Sequence, residues 1–357
     1  MTRGPIVEEF EREVADYCGA KYAVAFHSGT SALHAASFAA EMGPYDRFIT
    51  TPNTFIGTVV GAILYRSRSV FLDISLEDGN MDLEQCLANM NKPSSRGREI
   101  LIPVHFGGIP VDVSRIYHKI KYPETIVIED AAHAFGSLYP SGHKVGSCQW
   151  SHMTAFSFHP SKTITTLEGG MVTTNEERFY ERLRLFRNNG IKNAPSVSPG
   201  PWYYEVEAFT GNFHLTEIQA ALGLSQLKRV DSFIEKRRQL VSEYRNLLQD
   251  TPIRLFSSEA HERTAYHLFV VQIPFETLKK QRKEVMEELH QAKIGTQVHY
   301  IPLYRHPCFS KKFREVEDRF PNMETYYSQA LTLPLYFEME LEDVHKIVKT
   351  LKKILFS

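Results

Sequence analysis

The stretch SFHPSKTITTLEGG, residues 157–170, sets a lysine just past an apolar run, Met153 to Phe158, that has the make-up of a buried strand. Burying an ammonium is costly, and the usual relief is loss of its proton. Lys162 is reached from that strand and precedes the glycine pair Gly169–Gly170, which opens another. A lysine held there is partly desolvated, and its amine becomes nucleophilic toward carbonyls, the chemistry of a Schiff base. The competing reading is an ordinary loop lysine at the surface. Its companions decide between the two.

An aldehyde cofactor on Lys162 needs a phosphate anchor and an acidic partner for its ring nitrogen. SGTS (28–31) is a turn feeding a helix N-terminus, where free N–H groups and the helix dipole favour an anion. Asp130 closes the apolar run TIVIED (125–130), and a carboxylate there can keep a pyridine nitrogen protonated. Taken singly, SGTS reads equally as a capping turn, and Asp130 as the cap of the following AAHAFG. Together with Lys162 they point to pyridoxal phosphate.

These groups must be held by strand ends. KYAVAF, RFITT, SVFLDI, EILIPVHF, TIVIED, MTAFSF and GGMVTTN read as strands, with a helix from Gly29 and another starting near Phe55. Strands alternating with helices predict an α/β fold with a mostly parallel sheet, whose ligands collect outside the carboxyl ends of the strands. MTAFSF and GGMVTTN leave no room for a helix between them and are expected to be antiparallel. Past Thr216 one long helical span is expected, then strands AYHLFVVQIP and TQVHYIP around the helix RKEVMEELHQAK, and a final amphipathic helix LEDVHKIVKTLKKIL. The division is a large domain, 1–230, and a smaller C-terminal α/β domain, 231–357.

Composition narrows the classes. The 357 residues are 43% hydrophobic and carry 41 basic against 42 acidic side chains, so nothing draws the chain to nucleic acid or an anionic membrane. No run approaches a membrane span, and MTRGPIVEEFEREV lacks an apolar signal core, so a cytoplasmic protein is expected. Cys18, Cys86, Cys148 and Cys308 form no CxxC pair and are read as reduced structural thiols. The histidines show no metal-ligand spacing, so no metal is expected. Neither GxGxxG nor a nucleotide P-loop is present.

The order of FHSGTSALHAA, TTPNTFIGT, PVHFGGIPVD, IEDAAHAFGS, FSFHPSKTITTLEGGMVTTN and NFHLTEIQAALG resembles the DegT/StrS group of sugar-nucleotide aminotransferases over nearly the whole chain. GPWYYEVEAFTGNFHLTEIQAALG is similar to the branch that acts in pseudaminic acid biosynthesis. The resemblance implies PLP-dependent transferase fold type I and a homodimer with shared active sites. Its substrates would be a UDP-linked 4-keto-6-deoxy-2-acetamido sugar and L-glutamate. It implies that Lys162 bonds the cofactor and moves a proton, that Asp130 pairs with the pyridine nitrogen, and that Thr30, Ser31 and Ser157 bind the phosphate. Phe55 would stack on one ring face (a core aromatic is the alternative) and His133 would lie on the other. Asn212 would reach the phosphate of the neighbouring subunit. Arg187, His299 and Tyr304 are the substrate-binding candidates.

Three departures accompany the resemblance. Family members carry a longer segment ahead of TRGPIVEEFE, which commonly helps build the substrate mouth and the subunit contact, so substrate binding is the part of the resemblance this departure bears on. TGN stands at 210–212 where GYN is usual, and Tyr304 where many relatives have histidine. Perosamine- or bacillosamine-type 4-amination is the alternative within the family. Sugar deoxygenation on the same scaffold needs a histidine in place of Lys162. A non-catalytic cofactor-binding paralogue is the alternative outside enzymes.

Overall fold

The computed structural model describes residues 4–92, 97–193, 199–310 and 317–356. Seven strands form its main sheet: β1 (Tyr22–Phe26), β2 (Arg47–Thr50), β3 (Arg68–Phe71), β4 (Glu99–Leu101), β5 (Ile126–Asp130), β6 (Met153–Ser157) and β7 (Gly170–Thr174). Their spatial order is β1-β7-β6-β5-β4-β2-β3. β7 alone runs against the others, pairing antiparallel with both β6 and β1. Every residue of β5 and β7 is buried, as expected of strands covered on both faces.

Two helices pack against the β1–β7–β6 side of the sheet. α1 (Pro5–Cys18) starts with proline in its first turn and stops at Gly19, whose φ of 78° suits glycine. α2 (Gly29–Ala39) begins with a capping box between Ser28 and Ser31. Glycine is required where α2 meets the sheet. A Cβ on Gly29 would lie 2.7 Å from Ser157 Cβ, and one on Gly170 would lie 2.3 Å from the Ser28 carbonyl oxygen. The glycines of SGTS and LEGG thus bring the start of α2 onto the ends of β6 and β7.

β8 (Ile191–Asn193) and β9 (Tyr204–Val206) form a hairpin. β10 (Arg254–Leu255), β11 (Phe269–Gln272) and β12 (Ala330–Leu333) form a small antiparallel sheet. Around that sheet lies a separate apolar cluster that includes Leu240, Tyr244, Val271, Leu289, Leu331 and Leu351.

Three expected elements differ. EILIPVHF is a strand only over Glu99–Leu101; beyond Pro103, which has no N–H to give a sheet, the chain turns through Gly107 and Gly108 at φ 63° and 96°. The span after Thr216 is two helices, Glu217–Leu227 and Val230–Leu248. The first tightens at its end, where the Arg229 N–H donates three residues back, to the Gln226 carbonyl. TQVHYIP is not a strand: Gln297 makes a single bridge to Thr332, and the fully buried ALTL of β12 supplies the third strand. Cys18, Cys86 and Cys148 are buried, whereas Cys308 is exposed. Among the described residues, no helix is long and apolar enough to cross a membrane, and no three His, Cys, Asp or Glu side chains group as metal ligands.

Candidate active site

The ends of β5 and β6, the start of α2 and the segment from Thr54 to Thr58 surround a cavity of about 340 Å³. Lys162 reaches it from the loop after β6, where its N–H donates to the His159 carbonyl at 2.9 Å. Its amine lies 3.2 Å from Nε2 of His267. Burial lowers the amine's pKa to about 8, against a smaller opposing pull from the Asp130 carboxylate. The lysine is therefore easily had as the free base.

Asp130 stands at the last position of β5 and faces the same cavity. Its Oδ1 accepts the Ala132 N–H at 3.1 Å and its Oδ2 accepts the Thr58 hydroxyl at 2.5 Å. Burial raises its carboxyl above the usual range, while Thr58, Ala132 and Lys162 pull it back. The preceding Glu129 points to the other face of the sheet, as strand alternation requires. It accepts hydrogen bonds from His105 Nε2 (2.8 Å), Tyr139 (2.5 Å), Ser151 (2.5 Å) and Thr154 (2.9 Å). His105 Nδ1 accepts the Val111 N–H, which leaves its proton on Nε2 for Glu129. Burial alone would raise Glu129, but these donors hold it below the usual carboxylate range. The acid pair of TIVIED is thus divided between anchoring the strand and facing the site.

At the N-terminus of α2, Ser28 and Ser31 cap one another. The Ser31 N–H donates to Ser28 Oγ at 3.2 Å, and the Ser28 N–H to Ser31 Oγ at 3.1 Å. The N–H groups of Gly29 and Thr30 belong to the first turn and have no intrahelical acceptor. Gly29, Thr30 and Ser157 line the cavity beside them. An anion at this end of the cavity would meet those N–H groups and two hydroxyls.

The remaining wall is aromatic. His133 Nδ1 accepts the Gly107 N–H at 3.2 Å, so Nε2 carries the proton and donates to the Tyr300 oxygen at 3.1 Å. Burial first and Lys162 second hold His133 neutral, well below its ordinary pKa, and the same causes take His299 to about 4. His299 receives further support from Thr332 Oγ1, 2.8 Å from its Nδ1. Phe55 lines the cavity from outside and is 58% exposed, so it is not a core aromatic.

Lys162, Asp130, Thr30, Phe55, His133, Ser157 and His299 are therefore brought together. Four other expected residues are not. Ser31 is spent on the helix cap. Arg187 lies in a second cleft, where it pairs with Glu11 and donates to the Ala25 carbonyl. Tyr304 is buried in the core, stacked on Phe320 and donating to Glu324 at 2.5 Å. Asn212 lies outside this cavity, bridged to Asn188. The sequence reading missed Thr58, His267 and Tyr300. Thr58 and Tyr300 each sit within three residues of an expected site residue, but nothing in AYHLFV marks its histidine.

An amine, a buried carboxylate and an open helix N-terminus around one cavity fit a pyridine that carries an aldehyde and a phosphate. The sequence profile of the DegT/DnrJ/EryC1/StrS aminotransferase family matches residues 1–352. Spore coat polysaccharide biosynthesis protein SpsC of Bacillus subtilis is 37% identical over 99% of this chain and 90% of its own length. The UDP-4-amino-4,6-dideoxy-N-acetyl-beta-L-altrosamine transaminase of Campylobacter jejuni (serotype O:23/36) is 34% identical over 99% and 91%. Among solved structures, Helicobacter pylori PseC, an aminotransferase of pseudoaminic acid biosynthesis, superposes with a TM-score of 0.88 at 30% identity over 99% of this chain and 92% of that one. The PLP-form of the Streptococcus pneumoniae putative sugar aminotransferase Spr1654 gives 0.88 at 25% identity, over 99% and 92%. The chain belongs to the DegT/DnrJ/EryC1/StrS aminotransferase family, has the fold type I architecture, and is a sugar aminotransferase with pyridoxal phosphate as its cofactor.

Proposed function

We propose that this aminotransferase moves an amino group from L-glutamate to a UDP-linked 4-keto-6-deoxy-2-acetamido sugar, in the biosynthesis of a pseudaminic acid-type surface glycan. The observation that carries the site assignment is the convergence of the Lys162 amine and the Asp130 carboxylate on one cavity. The altrosamine transaminase and PseC, both similar over nearly the whole chain, support the choice of sugar.

Bound pyridoxal phosphate supplies an electron sink for the pair released when the donor's Cα–H bond breaks. Lys162 would hold the cofactor through Nζ, and as a free amine Nζ would take the proton from the donor carbon and keep it for return. In the second half of the cycle it carries a proton the other way, to the sugar carbon that gains nitrogen. General acid–base help of this kind contributes roughly 10²–10⁴-fold. Asp130, aimed by Thr58 and the Ala132 N–H, keeps a proton on the pyridine nitrogen. The first-turn N–H groups of α2, with the Thr30 and Ser157 hydroxyls, hold the phosphate, and Ser31 acts by fixing that turn. Phe55 and His133, which line the cavity, would lie against the ring, and His299 would meet the sugar.

The active unit in this proposal is a homodimer, with Asn212 completing the phosphate site of the neighbouring subunit. Its place outside its own cavity supports that role, as does the full exposure of Phe209 nearby. Two domains divided near residue 230 belong to the same reading, supported by the separate apolar cluster that begins at Leu240.

The test is turnover of L-glutamate with UDP-, dTDP- and GDP-linked 4-keto sugars, read by mass spectrometry. Amination of the UDP-linked acetamido sugar with equimolar 2-oxoglutarate is expected. Preferred amination of another sugar, or none with cofactor bound at Lys162, would overturn the substrate assignment.

A further inference from the structure

We propose that His267 is a positioning residue for Lys162: its ring donates Nε2–H to the lysine nitrogen and holds the side chain as a free base aimed into the cavity. The inference rests on the reading of Lys162 as the nucleophile. Nothing in the sequence marks His267, which precedes β11 in AYHLFV.

The geometry identifies the donor. Nε2 of His267 is 3.2 Å from Lys162 Nζ, and Nδ1 is buried without a hydrogen-bond partner. Were Nε2 to accept from a lysine ammonium, the ring proton would have to sit on Nδ1. That would bury a donor with no acceptor, the rarer and costlier deficit in protein interiors. With the proton on Nε2, Nδ1 is left with only an unused lone pair, and Nε2–H finds an acceptor in the unprotonated amine. The tautomer that suits His267 is therefore the one that suits a neutral Lys162.

The surroundings prevent the imidazole from escaping this choice by taking a second proton. The charged groups that act most strongly on it are Lys162, His133, Arg237 and His299, none of them a carboxylate, whereas Asp130 acts on the lysine. Burial and these neighbours keep His267 far below its ordinary pKa. The backbone that carries the ring is held in place. The His267 N–H donates to the Gly107 carbonyl at 2.9 Å. Behind it, the buried Arg237 guanidinium donates to the carbonyls of Tyr266 (3.1 Å), His267 (3.5 Å) and Leu335 (3.0 Å). Arg237 lies on the long helix that leads into the small sheet, so that helix sets the place of a ring acting on a loop of the main sheet.

The experiment uses the full-length chain stripped of cofactor, labelled with trace acetic anhydride from neutral to alkaline pH. Mass spectrometry of the Lys162 peptide gives the titration midpoint of its amine. His267→Phe keeps the ring and removes both nitrogens. Its midpoint is expected to rise, lowering the reactive fraction at pH 7 about threefold for each half unit. An unchanged or lower midpoint would overturn the proposal. Should the variant not fold, NMR of isotope-labelled histidine in the unaltered protein, at a pH above the amine's midpoint of about 8, reads the tautomer directly: a proton on Nε2 is expected, and one on Nδ1 would overturn it. Neither readout requires turnover, so a failure of Lys162 to bond the cofactor would count against the proposed function and remain distinguishable from a failure here.

Discussion

Thr58 and Asp130 are joined by a hydroxyl-to-carboxylate hydrogen bond of 2.5 Å, made between the segment after β2 and the last residue of β5. It fixes the direction of the Asp130 carboxylate, which shares the cavity with the Lys162 amine. A hydrogen bond to a charged group contributes about 1.5–3 kcal/mol. Thr58→Val is therefore expected to lower kcat roughly 10- to 100-fold and to cost about 1–3 kcal/mol of stability, and Asp130→Asn to lower kcat roughly 10²-fold or more. Steady-state kinetics beside melting curves check both.

The close approach of α2 to the sheet gives a second expectation. In Gly29→Ala the new Cβ would meet Ser157 at 2.7 Å at its Cβ and 3.2 Å at its backbone Cα, so the helix start must shift. The N–H groups and hydroxyls that hold the phosphate would move apart, and charge-assisted bonds of that kind are about twice as strong as neutral ones. Affinity for pyridoxal phosphate is expected to fall about tenfold or more, measured by fluorescence titration, while pyridoxal without the phosphate binds as before.

Lys162 also links stability to pH. In the folded, cofactor-free chain its amine releases its proton at about 8, against the ordinary 10.5. Between those values the unfolded chain holds more protons, so this residue's contribution to stability rises with pH across that window. Below it the buried amine costs up to about 3 kcal/mol. Lys162→Met is expected to stabilise the cofactor-free protein at neutral pH, with the advantage shrinking as pH approaches 10.5. Urea denaturation at several pH values measures it.

Much of this site was legible as strand ends. TIVIED and FSFHPSK each end a strand in a polar residue with no packing task, and the glycines of SGTS and LEGG sit where backbone must touch backbone. Arg187 and Tyr304 lie away from the cavity lined by Lys162, and a charged or hydroxylated side chain looks the same in sequence whether it meets a ligand or a buried partner. Only the fold shows Glu11 waiting for the first and Glu324 for the second. TQVHYIP was misread for a related reason: its alternation suits a strand, but His299 and Tyr300 turn to the cavity while ALTL buries all four residues in the sheet. His267 was out of reach, because its partner is 105 residues away in the chain.

Arg187 gives a structural expectation. Its partner Glu11 is buried, also accepts the Ala25 N–H at 2.7 Å, and is raised by burial against the pull of the arginine. Removing one member of a buried pair costs about 3–5 kcal/mol. Arg187→Ala is expected to lower stability on that order in denaturant titration, and Glu11→Gln with Arg187→Met to restore most of it.

The most direct measurement is borohydride reduction of the purified, cofactor-loaded protein, followed by peptide mass spectrometry and repeated after L-glutamate. The cofactor's mass is expected on the peptide that contains Lys162, absent after glutamate and absent in Lys162→Ala. Cofactor trapped on another lysine, or a Lys162 bond that glutamate never displaces, would show that this amine is not the one that starts the transfer.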